Sequence, residues 1–237
     1  MSLNNDYNLR RTERYLGIAW GNEAIPVIVL TKADTCGSLP RKLTEIKAIA
    51  CGVDIHATSS LTEDGYVSLL GYIDSGKTGA FIGSSGVGKS TLINRIMGLD
   101  LLQTRDTGND DKGRHTTTRR ELFAVPGGGV VVDTPGMREI GIGSADFTKA
   151  FADIDELATR CRFHDRTHTR EPDCAVRDGL LSEGRLAGYF KLQKEASYEG
   201  LNSRQIETEK ITAMFAPMGG IKNARKFARE KNRRRGQ

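Results

Sequence analysis

Apolar residues in this chain fall in short runs, each ending in polar or glycine-rich sequence. Val27-Ile28-Val29-Leu30 runs into Thr31-Lys32-Ala33-Asp34. "GAFIG" runs into a glycine-rich segment, and Gly129 to Val132 runs into Asp133-Thr134-Pro135-Gly136. Short apolar runs bounded by turn residues read as buried strands. "DIHATSS" reads as a further short strand. Elsewhere the period becomes helical. Leu92, Ile93, Ile96 and Met97 share one face, and Gly98 follows as a stop. "TEDGYVSLLGYI" predicts a helix that leads through "DSGK" to the "GAFIG" strand, and "DFTKAFADIDELAT" predicts another. "GRLAGYFKLQKEASYEG" and the segment to residue 237 also read as helices. The pattern predicts a mostly parallel α/β domain over residues 1–143 and a helical domain over 144–237. "RDTGNDDKGRHTTTRREL" is polar and glycine-containing, and is expected to be a mobile loop. The opening "MSL" is set outside the fold.

A length of 237 residues suits one ordinary domain plus a smaller one. With 38% hydrophobic and 27% charged residues the composition is that of a soluble globular protein. No apolar run approaches the roughly 18 residues of a membrane span. Four cysteines, at 36, 51, 161 and 174, are too few and too scattered for a disulfide framework. The expectation is a reduced, cytoplasmic, monomeric protein with no membrane partner. The net charge of +5 is uneven: residues 221–237 carry eight Lys/Arg against one Glu, so the other 220 residues sum to −2. Such a basic end suits contact with a polyanion, or serves as a solvated arm.

Candidate chemistry begins with Gly83-Ser84-Ser85-Gly86-Val87-Gly88-Lys89-Ser90, which fits GxxxxGK[ST], followed by Thr91. The glycines let successive backbone N–H groups turn inward around phosphate oxygens, and the following helix adds its positive end. Lys89 is placed to reach the β- and γ-phosphates and Ser90 to ligate Mg²⁺. This loop alone does not choose ATP or GTP. Asp133 is placed to hold the Mg²⁺ hydration shell, and the Gly136 N–H to sense the γ-phosphate. Thr117 is the threonine chosen to complete the Mg²⁺ shell. Asp34 is suited to accept hydrogen bonds from guanine N1–H and N2, with the stem of Lys32 along the base and Thr31 where asparagine is usual. Ser59 and Ser60 resemble the loop that meets guanine O6. Both base-reading elements precede the phosphate loop, whereas the usual order places them after DxxG. The chain therefore reads as a circularly permuted GTPase.

At these motifs, together with "NLRRTERYL", "GRHTTTRREL", "DTPGMRE" and "CRF…EPDCAV", the chain resembles the circularly permuted ribosome-assembly GTPases of the YjeQ/RsgA family. The resemblance spans about residues 8–200. It implies GTP hydrolysis stimulated by the ribosome, in late maturation of the small (30S) subunit, with GTP/GDP and 16S rRNA as partners. The sequence opens directly at the GTPase part, without the OB-fold that the family usually carries first. Met137 stands where other GTPases place a water-orienting glutamine, and the resemblance gives that work to His115, otherwise a loop histidine. It also implies zinc at four positions that fall here on Cys161, Arg166, His168 and Cys174. Arginine cannot bind zinc, so His164 is the candidate replacement, and a metal-free helical domain is the other reading. Rival functions are a P-loop ATPase or kinase, and a nucleotide-gated rRNA/ribosome-binding module with negligible hydrolysis.

Overall fold

Strand β1, Val27–Leu30, alternates half-buried and buried side chains and pairs in parallel with β2, Asp54–Ala57, in a register that sets Val27 against Asp54. The computed structural model describes residues 1–4, 6–60, 62, 65–98, 121–134, 145–162, 168, 171–179, 181–198 and 200–223. Helix α1, Leu9–Gly21, starts where the Asn8 side chain accepts from the Arg11 N–H at 3.0 Å, a standard N-cap. Its buried residues Thr12, Glu13, Leu16 and Gly17 lie on one face at helical spacing. Leu16, Leu30 and Ile46 of helix α2, Leu39–Lys47, belong to one apolar cluster around β1.

A second sheet has strand order β3-β5-β4. Thr78–Phe81 (β3) is parallel to Val130–Asp133 (β5), and Glu121–Ala124 (β4) is antiparallel to β5. Helix α3, Lys89–Met97, covers it with the stripe expected from its period: Leu92, Ile93, Ile96 and Met97 are all buried and cluster with Val131. The two sheets leave the strand ends Thr31 and Asp133 beside the phosphate loop.

Three elements within the first 143 residues depart from the sequence reading. "MSL" is part of the fold: Leu3 N–H donates to Thr31 O and Thr31 N–H to Met1 O, both at 2.9 Å, and Leu3 is buried in the β1 cluster. An apolar side chain beside the open edge of β1 makes that docking favourable. The helix expected in "TEDGYVSLLGYI" is a 3₁₀ turn, Val67–Tyr72, because Val67 and Leu70 face solvent and only Leu69 is buried, so no α-helical stripe exists. The end of the polar loop is strand β4.

Helices α4 (Ala152–Thr159), α5 (Ala175–Asp178), α6 (Glu183–Ser197) and α7 (Ser203–Phe215) follow. The start of α4 lies later than expected, since the Asp146 carboxylate caps Thr148 N–H at 2.9 Å and holds a turn there. The chain falls into two compact units, Met1–Tyr189 and Phe190–Gln237. In the second, Asn202 and Gln205 form a capping box that opens α7. No helix among the described residues is long and apolar enough to cross a membrane.

Candidate nucleotide-binding site

The phosphate loop leaves β3 and enters α3 through Gly88, whose φ of 91° is closed to residues with a Cβ. Within it the Lys89 ammonium donates to the carbonyls of Gly83 and Ser84, both at 3.0 Å. Burial lowers the Lys89 pKa, while the carboxylates of Asp133 and Asp6 oppose the shift. Asp133 is 1% exposed at the end of β5, so a buried acid acts on the half-buried lysine. The next residue, Thr134, donates its hydroxyl to Phe81 O at 2.6 Å and ties the end of β5 to the strand that feeds the loop. Val87 and Ser84 are buried, and Ser90 and Thr91 sit in the first turn of α3.

The base-reading candidates meet this loop directly. Thr31 donates its hydroxyl to Val87 O at 2.5 Å, across 56 residues of chain. Lys32 adopts φ 57°, which turns the chain into the short 3₁₀ segment Ala33–Thr35 that carries Asp34. Ala33 N–H donates to Thr58 O at 3.1 Å, and Ser59 donates its hydroxyl to Asp34 Oδ1 at 2.6 Å. Thr62 N–H in turn donates to Ser59 Oγ at 3.3 Å, and Ser60 is exposed. Gly65 closes this loop: a Cβ there would run into Ala57 O. His115, Thr117 and Gly136 lie outside the described residues.

Cys161, His168 and Cys174 converge away from that loop, all buried, with their donor atoms within 4.8 Å of one another. The His168 Nδ1 to Cys174 Sγ distance is 3.4 Å, and Cys161 Sγ to His168 Nδ1 is 3.9 Å. Two thiols and an imidazole are a donor set that suits zinc and want one more ligand for a closed tetrahedron. His164 and Arg166 lie outside the described residues.

Motif reading missed two groups beside the base and phosphate loops. Arg11 of α1 donates to Ser84 Oγ and pairs with Asp6 at 2.5 Å. His56 sits between Ser68 Oγ and Tyr72 OH, each at 3.0 Å, and Tyr72 donates to Asp54 at 2.6 Å. The spacing of Asp54 and His56, two apart on a strand, was the one signal for the second group; nothing in a motif marks Arg11.

A phosphate loop joined to two guanine-type loops that precede it in the chain defines a circularly permuted P-loop GTPase fold. Comparison with known proteins agrees. The sequence model of the RsgA GTPase family matches residues 1–143. "Small ribosomal subunit biogenesis GTPase RsgA 2" of Lactiplantibacillus plantarum is 52% identical over 230 residues, covering 95% of this chain and 65% of the relative. "Small ribosomal subunit biogenesis GTPase RsgA" of Methanosarcina acetivorans is 41% identical over 237 residues, covering 95% of this chain and 63% of that one. Among solved structures, YjeQ from Thermotoga maritima superposes with a TM-score of 0.58 at 29% identity, over 83% of this chain and 69% of that one. YloQ, described as a circularly permuted GTPase, gives 0.55 at 26% identity, over 83% and 66%. This chain belongs to the RsgA GTPase family. It spans under two thirds of the length of the curated relatives just named.

Proposed function

We propose that this chain binds GTP with Mg²⁺, hydrolyses it, and serves late maturation of the small ribosomal subunit in the cytoplasm. One observation carries the nucleotide reading: Thr31 on Val87 and Ser59 on Asp34 tie base-reading and phosphate loops into one site. In this reading Asp34 and Lys32 recognise guanine. The backbone from Gly83 to Gly88 cradles the phosphates, and Lys89 neutralises them. Ser90, Thr117 and, through water, Asp133 surround Mg²⁺, and the Gly136 N–H meets the γ-phosphate. His115 orients the attacking water. The nucleotide part covers residues 1–143 and the helical part 144–237, with zinc on Cys161, His168, Cys174 and a fourth ligand. The ribosomal role rests on the names of the relatives and on the basic end of the chain, which suits 16S rRNA.

The test is GTP turnover by the chain with and without small subunits. GTP hydrolysis that rises on adding subunits is expected. Absence of turnover in both arms, with GTP bound, would instead favour a binding module. In a parallel arm Asp34→Asn should move preference from GTP to xanthosine triphosphate; retention of GTP preference would remove Asp34 from base recognition.

A further inference from the structure

We propose that Arg11 of α1 is a positioning residue for the phosphate loop, acting on Lys89 through Ser84. The proposal rests on the reading of this loop as a GTP site. Ser84, the second residue of the loop, is 7% exposed. Its hydroxyl accepts from the Arg11 guanidinium. The backbone of the same serine is held from the other side, because its carbonyl, with that of Gly83, accepts the Lys89 ammonium. One loop residue thus connects an outside helix to the lysine that meets the phosphates.

The helix is firmly seated. On its buried face Glu13 accepts from Arg185 at 2.6 Å, and Gly17 lies so close to the Phe147 ring that a Cβ would overlap it. Arg11 is itself oriented by Asp6, whose carboxylate also acts on Lys89. A grip from a seated helix fixes the Gly83-Ser84 backbone and hence where Lys89 starts and where the next N–H groups point. Preorganised donors bind an anion without first reordering. The two base loops are fastened to each other by Ser59 on Asp34 and Ala33 on Thr58, and their tie to the phosphate loop runs from Thr31 to Val87, not to Ser84, so the grip concerns phosphate more than base.

The experiment uses the full chain and displacement of a fluorescent GDP by GDP and by GMP, with thermal melts to verify folding. Arg11→Ala should weaken GDP about tenfold, the scale of one hydrogen bond to a charged group, and leave GMP unchanged. In the Ser84→Ala background Arg11→Ala should add nothing. Equal losses for GDP and GMP, an unchanged ratio, or additive effects in the double variant overturn the proposal while leaving the site reading intact. A wild-type chain that binds neither nucleotide overturns the site reading itself, and this proposal with it.

Discussion

Asp34 shows what a single residue contributes before any ligand arrives. Ser59 holds one carboxylate oxygen at 2.6 Å, so the plane of the acid is set in advance. Guanine N1–H and N2 would then meet an oriented acceptor, which lowers the cost of ordering on binding. "TKAD" singled out Asp34 as a candidate base reader; its bond to Ser59 was not legible, because two loops 25 residues apart give no local signal. Lys89 was legible too, but its present partners, the Gly83 and Ser84 carbonyls, follow from the loop turning back on itself. Hydrolysis poses a separate question at this scale, since Met137 can neither donate nor accept usefully beside the DTPG. His115→Ala is therefore expected to leave GTP affinity near wild type and slow turnover by about 10²-fold or more, the usual contribution of a positioned acid–base group. Single-turnover hydrolysis with and without small subunits measures it. Unchanged rates in both would take His115 out of the mechanism.

Among elements, α1 has the most to explain, because one of its faces carries a buried charge cluster. Arg185 of α6 donates to Glu13 at 2.6 Å and to Asp153 of α4 at 2.7 and 3.0 Å, and Arg10 also donates to Glu13 at 2.9 Å. Gly184 and Gly188 give the Arg10 guanidinium room: a Cβ at either would come within 2.7 Å of it. Burial works against the Arg185 charge, and the bonds to Asp153 and Glu13 outweigh it, so its pKa is raised. Glu13 is fully buried, so removing Arg185 leaves its charge, among the described residues, with the partly exposed Arg10 alone. Arg185→Ala should cost about 3 kcal/mol in denaturant unfolding, as expected when one member of a buried pair is lost. A loss under about 1 kcal/mol would class the cluster with surface ion pairs. None of this was legible in the sequence, since Glu13 and Arg185 are 172 residues apart and charged residues on a helix ordinarily face water. Strong local patterns were read well: α3 by its four-residue stripe, β1 and β5 by apolar runs. Elements without such a pattern were not. Strand β4 leaves Leu122 72% exposed and so shows no buried alternation, and the 3₁₀ turn Val67–Tyr72 resembles a helix until Val67 and Leu70 are found in solvent.

For the whole molecule, the question is what fixes the chain between α4 and α5. Cys161 follows α4, Cys174 caps α5, and His168 comes from between them, in a left-handed conformation with φ 55°. A non-glycine residue in that region is strained, and strain of this kind persists where surrounding bonds over-determine it. Convergence of three buried donors within 4.8 Å supplies such a reason if a metal joins them. Zinc bound there would close the loop from 161 to 174 and add its binding free energy to folding. The lysine, base-reading and phosphate-loop residues share none of these ligands, so the two sites should respond separately. The purified chain is expected to carry about one zinc, the stoichiometry of a structural site. Stripping it with a chelator should lower the melting temperature and leave GDP affinity unchanged. Cys174→Ser should lose the metal and melt early in the same way. Elemental analysis and melting curves on the same sample decide it. A folded, metal-free chain whose melting does not respond to added zinc would show that Cys161, His168 and Cys174 pack as ordinary core residues.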